Sequence, residues 1–240
     1  MSDEDGPERV GPWGAAPPQD DARAPGPPGR EPLFNAPWPS VVIVAGIVLA
    51  YGLQSILAPG DAGIEKWGFT PADLWRGRWL GLLTVMIVHG NWAHALMNAL
   101  GALAFGPPVA RVMGPGLKGA GLFFLFYLVC GVVSTLGYLV LHLHSAEPVV
   151  GASGAIAGLM GGAARLLGPD AKPVSPIFSQ PVLSLGAGWL VVNVLQAIFG
   201  GAFMGGARIA WEAHIAGFVA GVLLIGAFAR LAGWRPVARL

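Results

Sequence analysis

The sequence is short of charge, nearly free of cysteine, and carries no excess of either sign. Of its 240 residues 11% are charged and 54% hydrophobic, where a soluble domain carries about 25% charged residues. More than half of the usual solvating surface is missing. Fourteen bases against thirteen acids give a net charge of +1, which excludes a nucleic-acid binder held by a field of phosphate contacts. The single cysteine, Cys130, excludes an internal disulfide framework and a cysteine-based zinc site. A membrane protein or an oily globule remains, and the placement of the charges decides between them.

Seven of the acids (Asp3, Glu4, Asp5, Glu8, Asp20, Asp21 and Glu31) lie in the first 37 residues, together with many of the prolines. Such a segment buries too little surface to offset its ordering entropy, so residues 1–37 are expected to form a disordered, acidic, Pro/Gly-rich tail. It lacks the apolar core of a signal peptide, and its acidity is the reverse of a transit peptide.

Beyond the tail, charge-free blocks follow one another. A helix needs about 20 apolar residues to cross the hydrocarbon core. Six spans are expected at 39–58, 93–112, 119–141, 151–168, 181–200 and 211–231, the fourth short and rich in glycine. The membrane domain then covers 38–232, and residues 233–240 form a short basic C-terminus. With the N-terminus cytoplasmic, ten of the fourteen bases fall on inner segments, and only Lys66, Arg76, Arg78 and Arg208 fall outside. The positive-inside rule therefore places both termini in the cytoplasm of what is expected to be a bacterial inner membrane. Residues 59–92 carry Trp67, Phe69, Trp75, Trp79 and Trp92, which suit a membrane interface. This loop either rests on headgroups or inserts part-way into the bilayer.

Polar residues inside a bilayer are costly and mark functional candidates. The run HGNWAHALMNALG places His89, His94 and Asn98 at the start of the second span. His94 and Asn98 are four apart and share a helix face. Helix-packing hydrogen bonds and a functional donor pair both fit. A metal site fits poorly, because the histidines are five apart and no carboxylate accompanies them.

The run GASGAIAGLMGG begins at Gly151, and its Gly154, Gly158 and Gly162 make a double GxxxG ridge for close helix packing. Ser153 opens that helix, where free N–H groups favour an N-cap or a developing negative charge. Ala155 stands where the nucleophile elbow of soluble hydrolases ends in glycine, so that motif is excluded. The run WEAHIAGFVAG puts His214 just inside the last span, followed by Gly217 and Gly221 in another GxxxG. All three clusters open even-numbered spans and so lie near one membrane face. Glycine faces would bring the fourth and sixth spans close enough for Ser153 and His214 to hydrogen-bond. A serine, a histidine and nearby donors in one depression are the components of acyl transfer.

At these residues the sequence resembles the rhomboid intramembrane serine proteases. The resemblance rests on GASG at 151–154, AHIAGFVAG at 213–221 and the His89-x4-His94-x3-Asn98 pattern, and covers roughly residues 40–231. It implies an all-α membrane protein, a six-helix bundle with a long first loop partly embedded in the bilayer. It also implies a serine endopeptidase that cleaves transmembrane segments of membrane-protein substrates, with no cofactor and no metal. Carried over, Ser153 is the nucleophile and His214 the general base. His94, Asn98 and the Ser153 backbone N–H assist the oxyanion. His89 is a supporting residue, and Gly151, Gly154, Gly217 and Gly221 shape the site. The pair would be a dyad, since Glu212 points away from His214 on a helix.

Two features depart from the family pattern. Trp75-Arg76 is displaced from Thr84 by several extra residues, and Ala157 stands where an aromatic ring often packs on the catalytic imidazole. Either another ring replaces it or the imidazole is held less tightly. Gly200, Gly201, Gly205 and Gly206 suit either a pliable cap over the site or an ordinary loop. His142 and His144 are expected in solvent, and Asn193 and Gln196 are expected to bond to neighbouring helices. A rhomboid-like protein that binds transmembrane clients without catalysis is the alternative, although it has no use for the Ser153–His214 pair. A small transporter would call for inverted repeats, and no convincing repeat is present. The sequence carries no signal for an oligomeric state.

Overall fold

A segment in hydrocarbon satisfies its backbone only within a helix or a closed barrel, and every long apolar block of this chain is helical. A computed structural model describes residues 36–167, 174–203 and 210–234. Most of the tail expected at 1–37, and the C-terminus from 235 onward, lie outside the described residues. In chain order the helices are α1 (Trp38–Leu57), α2 (Ala62–Trp67), α3 (Pro71–Leu74), α4 (Gly81–Thr84), α5 (Trp92–Met113), α6 (Gly116–Leu141), α7 (Ser153–Ala164), α8 (Gln180–Phe203) and α9 (Trp211–Leu231). Five of them, α1, α5, α6, α8 and α9, are long and apolar enough to cross a membrane. The protein is an integral, multi-pass, all-helical membrane protein.

The fourth expected span is the exception. Hydropathy suggests 151–168, yet α7 has only 12 residues, about 18 Å at 1.5 Å per residue against a hydrocarbon core of about 30 Å. Its start is set by Gly151, whose φ of 115° breaks the chain direction in a region that side-chain-bearing residues avoid. At its other end Arg165 turns away. The Arg165 Nε donates to the Ser175 carbonyl at 2.7 Å and Nη1 to the Val222 carbonyl at 2.9 Å. So short a helix is tolerated because it meets no lipid: every residue from Gly154 to Ala164 is buried.

Glycine explains how closely α7 is enclosed. A Cβ on Gly217 would run into the Gly154 carbonyl, and one on Gly221 into the Gly158 carbonyl, so the α7 and α9 backbones touch. The ridge of Gly154, Gly158 and Gly162 faces α6 instead, where added Cβ atoms would meet Ser134, Cys130 and Phe126 in turn. Those three partners are also four apart, one helix ridge set into another. Around this centre, α1 and α8 are peripheral. Only 17% and 11% of their apolar windows are buried, against 44% for α5 and α9.

The first loop does not lie free over this bundle. Phe69 and Val149 pair as an isolated antiparallel bridge, with N–H···O distances of 2.9 and 2.8 Å. The Gly151 N–H donates to the Val85 carbonyl at 2.9 Å. From α1, Gln54 Nε2 donates to the His89 carbonyl at 2.8 Å while its Oε1 accepts from the His89 N–H at 3.0 Å. The bridge turns Phe69 inward, and its ring is buried in the core. Phe69 is therefore not one of the interface aromatics; Trp75, Trp79 and Trp92 are exposed as expected. Gly200 and Gly201 continue α8 rather than forming a loop, and Gly205 and Gly206 lie outside the described residues.

Candidate active site

The site collects at one end of the bundle, where α5, α7 and α9 all begin. Each start has a local cause. Asn91 caps α5, its Oδ1 accepting from the His94 N–H at 2.8 Å. Gly151 supplies the turn before α7. The α9 end is anchored to α6 by Ser134, whose Oγ donates to the Ala213 carbonyl at 2.7 Å, one residue before His214.

Backbone contact between α7 and α9 brings Ser153 Oγ to 2.7 Å from His214 Nε2. His94 and Asn98 reach the same place from α5. A Cβ built on Gly151 would lie 2.5 Å from His94 Nε2 and 3.5 Å from Asn98 Nδ2, so both nitrogens converge on the turn that delivers Ser153. Asn98 is buried and its Nδ2 has no hydrogen-bond partner. A buried amide donor left unpaired is costly, and here it faces the Gly151 turn that precedes Ser153. The Gly90 N–H lies 3.5 Å from His94 Nδ1, while Nε2 is directed to the Gly151 turn.

His89 is close by but turned differently. It is fully buried, and its ring meets His94 edge-on with centroids 5.2 Å apart. Burial, and then the neighbouring His94, hold the His89 imidazole down at about 4, so it stays neutral. No third His, Cys, Asp or Glu side chain joins this pair among the described residues.

Two residues of α8 complete the surroundings of His214. Asn193 Oδ1 lies 2.8 Å from His214 Nδ1, and Asn193 Nδ2 donates to the Trp189 carbonyl at 2.8 Å. The Trp189 ring lies beside the imidazole, with centroids 5.6 Å apart and planes inclined by 40°. It packs on a small cluster that includes Ala157, Met160 and Phe218. The ring missing at Ala157 is thus supplied from another helix. Asn193 does bond to a neighbouring helix, as its polarity in a lipid-facing span suggests, but the partner was not legible: it is the imidazole itself. Gln196, three residues further along the same span, leaves its Oε1 without a hydrogen bond.

One assignment to solvent is overturned. His142 stacks on Tyr138 with ring centroids 4.3 Å apart, and its Nε2 lies 3.0 Å from Glu212 Oε1. The aromatic neighbour and the carboxylate both favour a docked imidazole over a hydrated one. This contact also turns Glu212 away from His214. His144 is exposed. Trp75 Nε1 donates to the Leu143 carbonyl at 2.9 Å, and Arg76 and Arg78 both pair with Asp73, at 3.3 and 3.0 Å.

Fold and site together define a polytopic helical membrane protein with a serine–histidine pair at the head of a short central helix. The Rhomboid domain model matches residues 73–231, more than half of the chain. The chain belongs to the rhomboid family. It is 30% identical over 136 residues to the rhomboid protease GluP of Bacillus subtilis (strain 168), a match covering 55% of this chain and 25% of that protein. It is 29% identical over 133 residues to the putative rhomboid protease YdcA of the same organism, covering 54% and 52%. With the chloroplastic RHOMBOID-like protein 9 of Arabidopsis thaliana it shares 34% identity over 85 residues, covering 35% and 18%. The chain therefore matches about half or less of the length of each of these relatives.

Proposed function

We propose that this protein is an intramembrane serine endopeptidase acting on transmembrane segments of membrane-protein substrates. One observation carries the reading: Ser153 Oγ and His214 Nε2 are 2.7 Å apart where His94 Nε2 and the unpaired Asn98 Nδ2 of α5 converge. In the reaction, Ser153 Oγ attacks a peptide carbonyl carbon and its proton passes to His214 Nε2. The oxyanion accepts hydrogen bonds from His94 Nε2, Asn98 Nδ2 and the Ser153 N–H. Each donor of this kind contributes on the order of 10²–10³ in rate. His214 then gives the proton to the leaving amine, which departs and leaves an acyl ester on Ser153. A water molecule, losing its proton to His214 Nε2, attacks the ester carbonyl, and collapse returns the proton to Ser153.

Such a site needs an extended peptide, because a helical segment has its carbonyls already hydrogen-bonded. The substrate is accordingly a membrane protein whose helix unwinds readily at this depth. The orientation that fits has both termini in the cytoplasm of a bacterial inner membrane. Arg111, Arg165 and Arg230 stand at the ends of α5, α7 and α9, opposite the site, as the positive-inside rule asks of a cytoplasmic face.

The test is cleavage of a reporter transmembrane substrate in liposomes by wild type, Ser153→Ala and His214→Ala. Cleavage by wild type alone is expected, with a fluorophosphonate probe labelling wild type and sparing Ser153→Ala. Equal cleavage by all three would sink the proposal.

A further inference from the structure

The sequence motifs account for Ser153 and His214 but leave the far side of the imidazole without a partner, and α8 supplies one. We infer that Asn193 is a positioning residue that fixes the tautomer of His214, with the Trp189 ring holding the imidazole plane. This inference rests on the protease reading above and adds a fourth helix, α8, to the machinery of α5, α7 and α9.

Donors and acceptors alternate from the Trp189 carbonyl through Asn193 and the His214 ring to Ser153. A main-chain carbonyl only accepts, so the group 2.8 Å from the Trp189 carbonyl must be the Asn193 amide nitrogen. That leaves Asn193 Oδ1, which only accepts, facing His214 Nδ1 at 2.8 Å. Nδ1 must therefore carry the proton in the neutral ring. Nε2, 2.7 Å from Ser153 Oγ, is then the free base that nucleophilic attack requires. When Nε2 takes the serine proton, the ring becomes cationic and its Nδ1–H bond to Asn193 strengthens. Asn193 thus stabilises the state that forms as Ser153 attacks, without touching substrate.

The location supports this role over simple packing. Asn193 is 1% exposed on a helix that otherwise presents mostly apolar residues to lipid, and an amide in that setting is expensive unless both its ends are engaged. Ala157 leaves the imidazole face open, and Trp189, one turn before Asn193 on the same helix face, closes it. The ionisable groups near His214 are few. His94 approaches from α5, Glu212 on α9 itself is held by His142, and Tyr138 at the end of α6 stacks on His142. The sequences of α7 and α8 contain no ionisable residue. A charge placed at 193 would therefore be felt by His214 without competition from its own helix.

The experiment measures second-order labelling by a fluorophosphonate across pH, with reporter cleavage, for wild type, Asn193→Ala and Asn193→Asp in liposomes. Asn193→Ala is expected to lower labelling and kcat by roughly ten- to a hundredfold, the loss of one hydrogen bond to a developing charge, with KM little changed. Asn193→Asp keeps the acceptor and adds a charge that favours the imidazolium. It should recover most of the rate at alkaline pH and move the acidic limb of the profile upward by about one pH unit or more. Asn193→Ala labelling at the wild-type rate, or an unmoved Asn193→Asp profile, overturns the inference while leaving the protease reading intact. A wild type that neither labels nor cleaves overturns both. Should Asn193→Ala not fold, the Asn193→Asp profile decides alone.

Discussion

Substituting Gly217 by alanine tests whether backbone contact between α7 and α9 sets the catalytic distance. The new Cβ would overlap the Gly154 carbonyl oxygen and approach the carbonyl carbon to 3.0 Å and Cα to 3.4 Å. Neither helix backbone can yield locally as a flexible side chain would. Relief of the overlap requires the helices to part by roughly 1 Å, given ordinary carbon–oxygen contacts near 3.5 Å. Gly154 adjoins Ser153 and Gly217 lies less than one turn from His214, so the separation falls on the 2.7 Å Ser153–His214 contact. A gap near 3.7 Å is outside hydrogen-bonding range, and a 1 Å misplacement of reacting groups costs on the order of 10² in rate. Overpacking should also lower stability by about 1–3 kcal/mol. The assay is reporter cleavage and fluorophosphonate labelling in liposomes, with thermal unfolding in detergent. Gly226→Ala is the control on the same helix. Its Cβ would meet only side-chain atoms at ordinary contact distances, the Arg165 guanidinium at 3.5 Å and Val174 Cγ1 at 3.9 Å, and activity should stay at the wild-type level. Activity of Gly217→Ala within threefold of wild type would refute the packing argument.

Two further perturbations probe the neighbouring contacts. Gly151→Ala places a Cβ 2.5 Å from His94 Nε2 at a φ of 115°, so it should displace the donors on α5 and cut cleavage by about 10²–10³; undiminished kcat would remove His94 from the oxyanion role. Gln54→Ala strips both hydrogen bonds from the buried His89 backbone, and thermal unfolding should show a loss of about 2–4 kcal/mol. An unchanged unfolding midpoint would mean that the first loop is held without α1.

Much of this fold is written in hydropathy, because a lipid-facing helix must be apolar along its whole length. The expected spans at 93–112, 119–141 and 211–231 differ from α5, α6 and α9 by three residues at most. What hydropathy does not encode is where a buried helix stops. The ends of α7 are set by a glycine conformation and by the Arg165 hydrogen bonds, and an apolar window runs past both. Phe69 and His142 fail for a related reason. An aromatic or a histidine in a loop looks the same in sequence whether it meets water, lipid or a cross-chain partner, and only the pairing with Val149 or Glu212 decides.

The site shows the same division. Ser153, His214, His94 and Asn98 stand in motifs whose spacing already places them on helix starts. Asn193 stands in no motif, and α8 is apolar around most of its circumference, so its inward face cannot be read from an amphipathic pattern. The one available signal is that Trp189, Asn193 and Gln196 recur at intervals of four and three, a single face of one helix. Through Trp189 and Asn193 that face meets His214 of α9, and on the mechanism proposed above the least buried span would orient the ring that moves the proton. The Ser153–His214 pair is built on α7 and α9, which glycine contacts hold tightly, whereas its orienting bond depends on α8, which little else holds. An outward shift of α8 by about 1 Å would stretch the 2.8 Å contact to His214 beyond hydrogen-bonding range. The nucleophile and base would stay together while the tautomer was no longer fixed. On the mechanism proposed above, docking of α8 is therefore a condition for reactivity that is separate from assembly of the pair.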